Sequence, residues 1–372
     1  MNTYNTILTN LLKTDTNDIK LTIYQPTHQA SSGQKIQEDT IRFKNALKAI
    51  KQSDDYNDAM LGKTMRSLET LLDDAEFWKR RRRGLAVFAD MQGYQTVSLD
   101  EDIAETYYVG RHFFISPLVL LQSLSSRYYV LDINLTRPRL LEGSPSSCTE
   151  IVIDGMPESF EVMTANVEYS KELQHQSGGT SGFHGHTDDA AVQENTMRYY
   201  RKISEAASTH LSGHTEPLLL IGVENRVGEI RQLLSYPHIL DEYIEGNGEA
   251  MNEQALHSAT TPIIERYSKK QRSDAVALFN QTPPTHTHVG LEDIVVSSIE
   301  GRVATVLIPC YRQTTDTVRE GYDELVVLQL NGSPNNEELE SLVRSVLSTG
   351  GAVQAVAIDA FGDEQPRGVC RF

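Results

Sequence analysis

A chain of 372 residues has room for two or three domains, each with its own core. An apolar share of 39% with 23% charged residues is that of a soluble globular protein, and no apolar run approaches a membrane span in length. The net charge of −17 excludes adhesion to nucleic acid over the whole surface, though not a local basic contact.

The opening residues MNTYNTILTNLLKTDTND lack the basic-then-apolar layout of a signal peptide. Cys148, Cys310 and Cys370 lie too far apart in sequence to signal a disulfide framework or a thiolate zinc site. Together these point to a cytoplasmic protein.

Residues 1–126 read as one α/β domain. The segment LTIY from Leu21 is a short strand that ends at Pro26, and Thr27, His28 and Gln29 make a polar turn after it. A first amphipathic helix is predicted over 38–50, with Ile41, Ala46, Leu47 and Ile50 facing inward. A second is predicted over 60–78, with Met65, Leu68, Leu71 and Leu72 on its apolar side. Lys79, Arg80, Arg81, Arg82 and Arg83 follow without interruption. Strands are expected at GLAVFA (84–89) and over 107–109, before the apolar run 118–121.

Arg127 begins a second domain, 127–282. Strands are expected over 128–133, 139–141 and 148–153. The stretch from Tyr169 to Ala207 then divides in two. Gly178, Gly179, Gly182 and Gly185 rule out regular structure in its first half, whereas Met197, Tyr200, Ile203 and Ala207 recur at helical spacing in its second. Asp188 and Asp189 stand where an N-cap and first-turn acid belong. PLLLIGV (217–223) is a continuous apolar strand, a helix begins at Glu224, and 256–279 is largely helical with Pro262 near its start. QTPPTHTH (281–288) reads as a linker into a third domain, 283–372. That domain is expected to hold strands over 304–308, 324–330, 353–358 and 369–372, with a helix over 336–347. The fold class is therefore mixed α/β in three domains.

Chemistry is thinly signalled. His184 and His186 with Asp188 and Asp189 are potential metal ligands, but no ligand spacing supports them, so no metal is assigned. Asp132, Asp154, Glu224 and Asp241 invite the idea of an acidic nuclease cluster, against which stands the plain reading of solvated strand ends. There is no GxSxG, CxxC, GxGxxG or phosphate-loop pattern, so neither a nucleophile nor a nucleotide cofactor is indicated. The run Lys79 to Arg83 has two readings: cations complementing a helix C-terminus, or a contact to RNA phosphates. His28, flanked by Gln25 and Thr27, is either a structural turn residue or a loop-tip contact.

The segments IYQPTH (23–28), DTIRFKN (39–45), LLDDAEFW (71–78), YYVLDINLTRPRLLEG (128–143), SYPHILDEYIEGN (235–247) and GVCRF (368–372) carry a resemblance. Over almost its whole length the chain resembles the bacterial relatives of archaeal and eukaryotic class-one release factors and Pelota. The resemblance implies a middle domain with a ribonuclease-H-like mixed sheet and a small last domain like that of Pelota. It also implies a role for each domain. The first would sit in the ribosomal decoding centre, with Gln25, Thr27, His28 and Lys79 to Arg83 near ribosomal RNA. The middle domain would aim the loop of His175, Gln176, Ser177, Gly178, Gly179, Thr180, Ser181, Phe183 and His184 at the peptidyl-transferase centre, with Arg198, Arg201 and Lys202 on RNA. The last domain would contact elongation factor Tu. The implied partners are thus the ribosome and that factor, with no DNA, membrane or cofactor.

One departure bears on activity. Release factors of this lineage carry Gly-Gly-Gln in the loop; here Ser177-Gly178-Gly179 is followed by Thr180. Ester hydrolysis needs water held beside the carbonyl and donors aimed at the developing oxyanion. Threonine is too short to reach where a glutamine side chain would act. The expectation is an A-site occupant of idle ribosomes that is not an enzyme, with a rescue peptidyl-tRNA hydrolase as the alternative.

Overall fold

The computed structural model describes residues 3–13, 18–28, 33–53, 58–101, 103–124, 127–145, 147–165, 189–310, 335–357, 360–363 and 365–371. These pack as two compact units, one made of residues 126–267 and one of residues 3–125 together with 268–372. Residues of the first and last expected domains therefore share a unit.

The chain opens with α1 (Thr3–Lys13), β1 (Lys20–Pro26), α2 (Gly33–Gln52), α3 (Asp58–Leu72) and α4 (Ala75–Lys79). Then come β2 (Gly84–Asp90), β3 (Gly93–Leu99), β4 (Thr106–Gly110) and α5 (Ser116–Leu124). The four strands form an antiparallel sheet in the order β3-β2-β1-β4. Both faces of β1 and β2 are covered: β2 reads as a nearly unbroken apolar run, whereas β1 buries Lys20, Thr22 and Gln25 among its apolar residues. Leu21, Ile23, Leu85 and Val87 meet Phe43, Leu47, Met65, Leu68 and Trp78 from the helices, while Tyr24, Ala86 and Phe88 share a core with α5.

Three expectations need correction here. Ile41 is 49% exposed, and Phe43 takes the inward position assigned to it. The single helix expected over 60–78 is two, because Asp74 accepts the Phe77 N–H at 2.9 Å and caps α4. Trp78 then turns back and donates its indole N–H to the Leu71 carbonyl at 2.8 Å. Finally, β3 was not expected at all: it is an edge strand, and Tyr94 is 40% exposed.

The middle unit holds β5 (Tyr128–Asp132), β6 (Arg139–Gly143), β7 (Cys148–Ile151), α6 (Asp189–His210), β8 (Leu218–Gly222), α7 (Glu224–Leu233) and β9 (Ile239–Glu245). α8 (Glu253–Gln281) begins in it. The sheet order is β7-β6-β5-β8-β9, with β6 antiparallel to its neighbours and β5, β8 and β9 parallel. This is the ribonuclease-H-like mixed sheet that the resemblance implied. Leu131, Leu218 and Leu220 face α6 and α7, whereas Val130, Leu219 and Ile221 face Leu256, Ile263 and Ile264 of α8.

The chain ends with β10 (Thr287–Val289), α9 (Leu291–Ile299), β11 (Val303–Cys310), α10 (Asn335–Ser348), β12 (Ala352–Ala357) and β13 (Arg367–Cys370). Their sheet runs β10-β13-β11-β12. The expected linker 281–288 is in part structural: a 3-10 turn spans Pro284–His286, and β10 then pairs with β13. The strand expected over 324–330 lies outside the described residues. Glu340 on α10 is buried and accepts hydrogen bonds from Ile115 N, Ser116 N and Ser116 Oγ at 3.0, 2.8 and 2.6 Å. It thereby caps α5 across the shared core. Among the described residues, no helix is long and apolar enough to cross a membrane.

Candidate nucleic-acid interface

β1 leaves its sheet at Pro26, which has no N–H to continue a ladder. The next residues are fixed by neighbours on both sides. The Thr27 N–H donates to the Arg83 carbonyl at 2.8 Å, and its hydroxyl to the Arg82 carbonyl at 2.9 Å. His28 is held by Asp39, whose carboxylate accepts the His28 backbone N–H at 2.9 Å and faces Nδ1 at 2.8 Å. Arg42, one turn further along α2, donates to the Pro26 carbonyl at 3.0 Å and lies 3.6 Å from Asp39 Oδ1. Gln25 is buried and donates to the Asp39 carbonyl at 3.2 Å. Two separately predicted groups, 25–28 and the start of β2, thus meet at one sheet end. The antiparallel register that sets Pro26 opposite Gly84 brings them there.

The five cations of 79–83 are not equivalent. Lys79 lies in the last turn of α4 and Arg80 caps it, as the helix-dipole reading requires. Both are exposed. Lys79 pairs with Glu76 at 2.7 Å and holds that carboxyl below its ordinary range, a surface pair of little worth to stability. Arg81 lies 3.6 Å from the centre of the Phe77 ring, donates to the Phe77 carbonyl at 2.7 Å, and reaches Ser98 Oγ at 3.1 Å. Burial pulls its pKa down. Arg82 grips both oxygens of the buried Asp100 at 2.7 Å. Arg81 is half-buried and Arg82, though exposed, is tied to a buried carboxylate, whereas Lys79 and Arg80 are exposed and have no buried carboxylate partner among the described residues.

On α6, Arg198, Arg201 and Lys202 are all exposed, and Tyr199, Tyr200, Ile203, Ala206 and Ala207 are buried on the opposite side. The spacing of three and four places the cations on one solvent face, which they share with the exposed Glu205. The whole predicted loop, His175, Gln176, Ser177, Gly178, Gly179, Thr180, Ser181, Phe183 and His184, lies outside the described residues. So do His186 and Asp188.

The acidic residues do not gather. Asp132 is buried at the end of β5 and takes two hydrogen bonds from Arg139, at 3.1 and 2.8 Å. Asp241 is on β9 beside Arg231, and Asp154 and Glu224 are exposed. Among the described residues, no group of three or more His, Cys, Asp or Glu side chains could hold a metal ion.

Sequence reasoning missed Asp39, Arg42 and Asp100, which position the predicted contacts. Asp39 and Arg42 stand three apart in DTIRFKN, on one face of a helix following the His28 turn. That spacing was the available signal.

Comparison with solved structures finds likeness along nearly the whole chain at low identity. One is an archaeal protein, at 15% identity over 99% of this chain and 97% of that one, TM-score 0.29. Another is the archaeal translation termination factor aRF1, at 13% identity over 99% and 97%, TM-score 0.25. A third is ribosome-bound archaeal Pelota, solved with ABCE1, at 10% identity over 100% and 94%, TM-score 0.42. No curated protein matches the sequence. A family-level likeness comes from the sequence of the middle region. Residues 127–302, just under half of the chain, match the model of bacterial archaeo-eukaryotic release factor family 3.

Proposed function

We propose that the protein is a ribosome-binding translation factor that occupies the A site of idle ribosomes without releasing peptide. The observation that carries this reading is the family match over 127–302, in which the loop keeps Gly178 and Gly179 but has Thr180 where a glutamine is expected. The first sheet would present His28 and the exposed Lys79 and Arg80 to the decoding centre. The glycine loop would point at the peptidyl-transferase centre, with Arg198, Arg201 and Lys202 on neighbouring RNA. The last sheet and its helices would meet elongation factor Tu, and the setting is the cytoplasm.

Without the glutamine, no side chain at position 180 can reach the attacking water, so the loop fills the site and performs no hydrolysis. The test is co-sedimentation of the purified protein with vacant ribosomes and with ribosomes whose A site already holds tRNA, alongside a peptide-release assay. Binding that A-site tRNA blocks, with no release, is the expected result. Release that Gly178→Ala and Gly179→Ala abolish would make the protein a rescue hydrolase instead. Absence of ribosome binding would overturn the reading altogether.

A further inference from the structure

His28 is held in a way that determines what it can bind. The Asp39 carboxylate can only accept hydrogen bonds, so the nitrogen facing it at 2.8 Å, Nδ1, carries the hydrogen. The second carboxylate oxygen accepts the His28 backbone N–H at 2.9 Å, which fixes the residue at two points. Asp39 is itself 1% exposed, whereas the imidazole is 32% exposed. Nε2, on the far edge of the ring, is therefore the group on offer. Glu38 Oε2 stands 3.9 Å from that nitrogen on a half-exposed side chain. An incoming phosphate would meet this carboxylate before the imidazole.

We infer that His28 contacts a ribose 2′-hydroxyl of RNA, and that Asp39 is the positioning residue for that contact. A 2′-hydroxyl is both donor and acceptor, so it satisfies Nε2 whether or not that nitrogen is protonated, and Glu38 does not repel it. The contact distinguishes RNA from DNA and adds no phosphate neutralisation. This inference rests on the ribosome-binding reading above.

The experiment measures affinity of the full chain for vacant ribosomes against salt concentration. His28→Ala should weaken binding about 5- to 10-fold, the worth of one good hydrogen bond, and leave the salt slope unchanged. His28→Gln, which can also donate and accept, should recover part of the loss, and His28→Lys should not. Asp39→Asn should cost as much as His28→Ala, and the double variant should lose no more than either alone. The ring at 28 is only partly exposed, so equal melting curves are required of every variant to guard against misfolding. A slope reduced by about one unit in His28→Ala, or rescue by lysine, would show a phosphate contact and overturn the inference. So would unchanged affinity in His28→Ala. If the unaltered protein fails to bind ribosomes, the parent reading falls with it, whereas the other outcomes overturn only the 2′-hydroxyl contact.

Discussion

Glu340 gives the sharpest test of how the first and last parts of the chain are joined. One oxygen of its carboxylate receives the Ile115 and Ser116 N–H groups and the Ser116 hydroxyl, and the other has no partner among the described residues. Glu340→Ala removes the acceptor from two buried amides at the start of α5, each worth about 1–3 kcal/mol when left unpaired. Loss of an ill-solvated charge offsets part of this, so the expected cost is about 2–4 kcal/mol. Glu340→Gln keeps one oxygen for the Ser116 groups and should cost about 1 kcal/mol at pH 5. The pH dependence follows from burial, the main cause that raises the Glu340 pKa above the ordinary 4.5. The native state then holds the proton more tightly than the unfolded chain. Its contribution is full below pH 4.5 and is lost as pH rises through the folded value. Wild type should lose stability relative to Glu340→Gln between pH 5 and pH 8. The only tryptophan, Trp78, is buried in the same unit, so urea unfolding followed by its fluorescence reports on this joint. Parallel pH curves for the two proteins, or a cost below about 0.5 kcal/mol for the alanine, would refute the reasoning.

Other positions make further predictions. A Cβ on Gly248 would lie 2.5 Å from the Asp132 carboxylate, which Arg139 holds in place, so Gly248→Ala should destabilise by about 1–3 kcal/mol in circular-dichroism melts. Gly228, in α7, has nothing within 4 Å of that point, and Gly228→Ala should stabilise by about 0.5–1 kcal/mol. Asp74→Ala removes the cap of α4 and should cost about 1 kcal/mol, read again from Trp78 fluorescence. Burial pushes the Cys148 thiol up to about 11 and Cys310 up to about 12, and Cys370 is raised as well. None of the three should react with a disulfide reagent at pH 8 until denaturant is added.

Much of the fold was legible because burial leaves a periodic mark. β2, β5 and β8 are covered on both faces and show as apolar runs, and α2 and α6 show as helical repeats. What escaped had a weaker mark or a competing one. β3 is half-exposed at a sheet edge, and β10 is three residues behind two prolines that signal a turn. The division between α3 and α4 was hidden because Leu71 and Trp78 keep helical spacing across the break at Asp73 and Asp74. The candidate interface was legible residue by residue, but its assembly was not. That Thr27 and Arg83 adjoin depends on the β1/β2 register, and that Arg82 is neutralised depends on Asp100, beyond the next strand turn.

This neutralisation sets what the proposed RNA contact predicts for salt dependence. Each phosphate contact lowers the logarithm of affinity by about 0.7 to 0.9 per tenfold rise in salt. Had all eight proposed cations met phosphates, the slope would approach about −6 to −7. Arg81 lies against Phe77 and Arg82 is locked on Asp100, so each is occupied within its own domain. Lys79, Arg80, Arg198, Arg201 and Lys202 are exposed and, unlike the equally exposed Arg82, are not tied to a buried carboxylate among the described residues. If these carry the electrostatics, the slope should fall between about −3 and −5. The remaining affinity must then come from shape and neutral hydrogen bonds such as the one proposed for His28. Ribosome binding between 50 mM and 300 mM salt would measure it. A slope steeper than about −5 would mean that a sixth cation meets RNA, and if that is Arg82 leaving Asp100, Arg82→Ala should flatten it by about one unit.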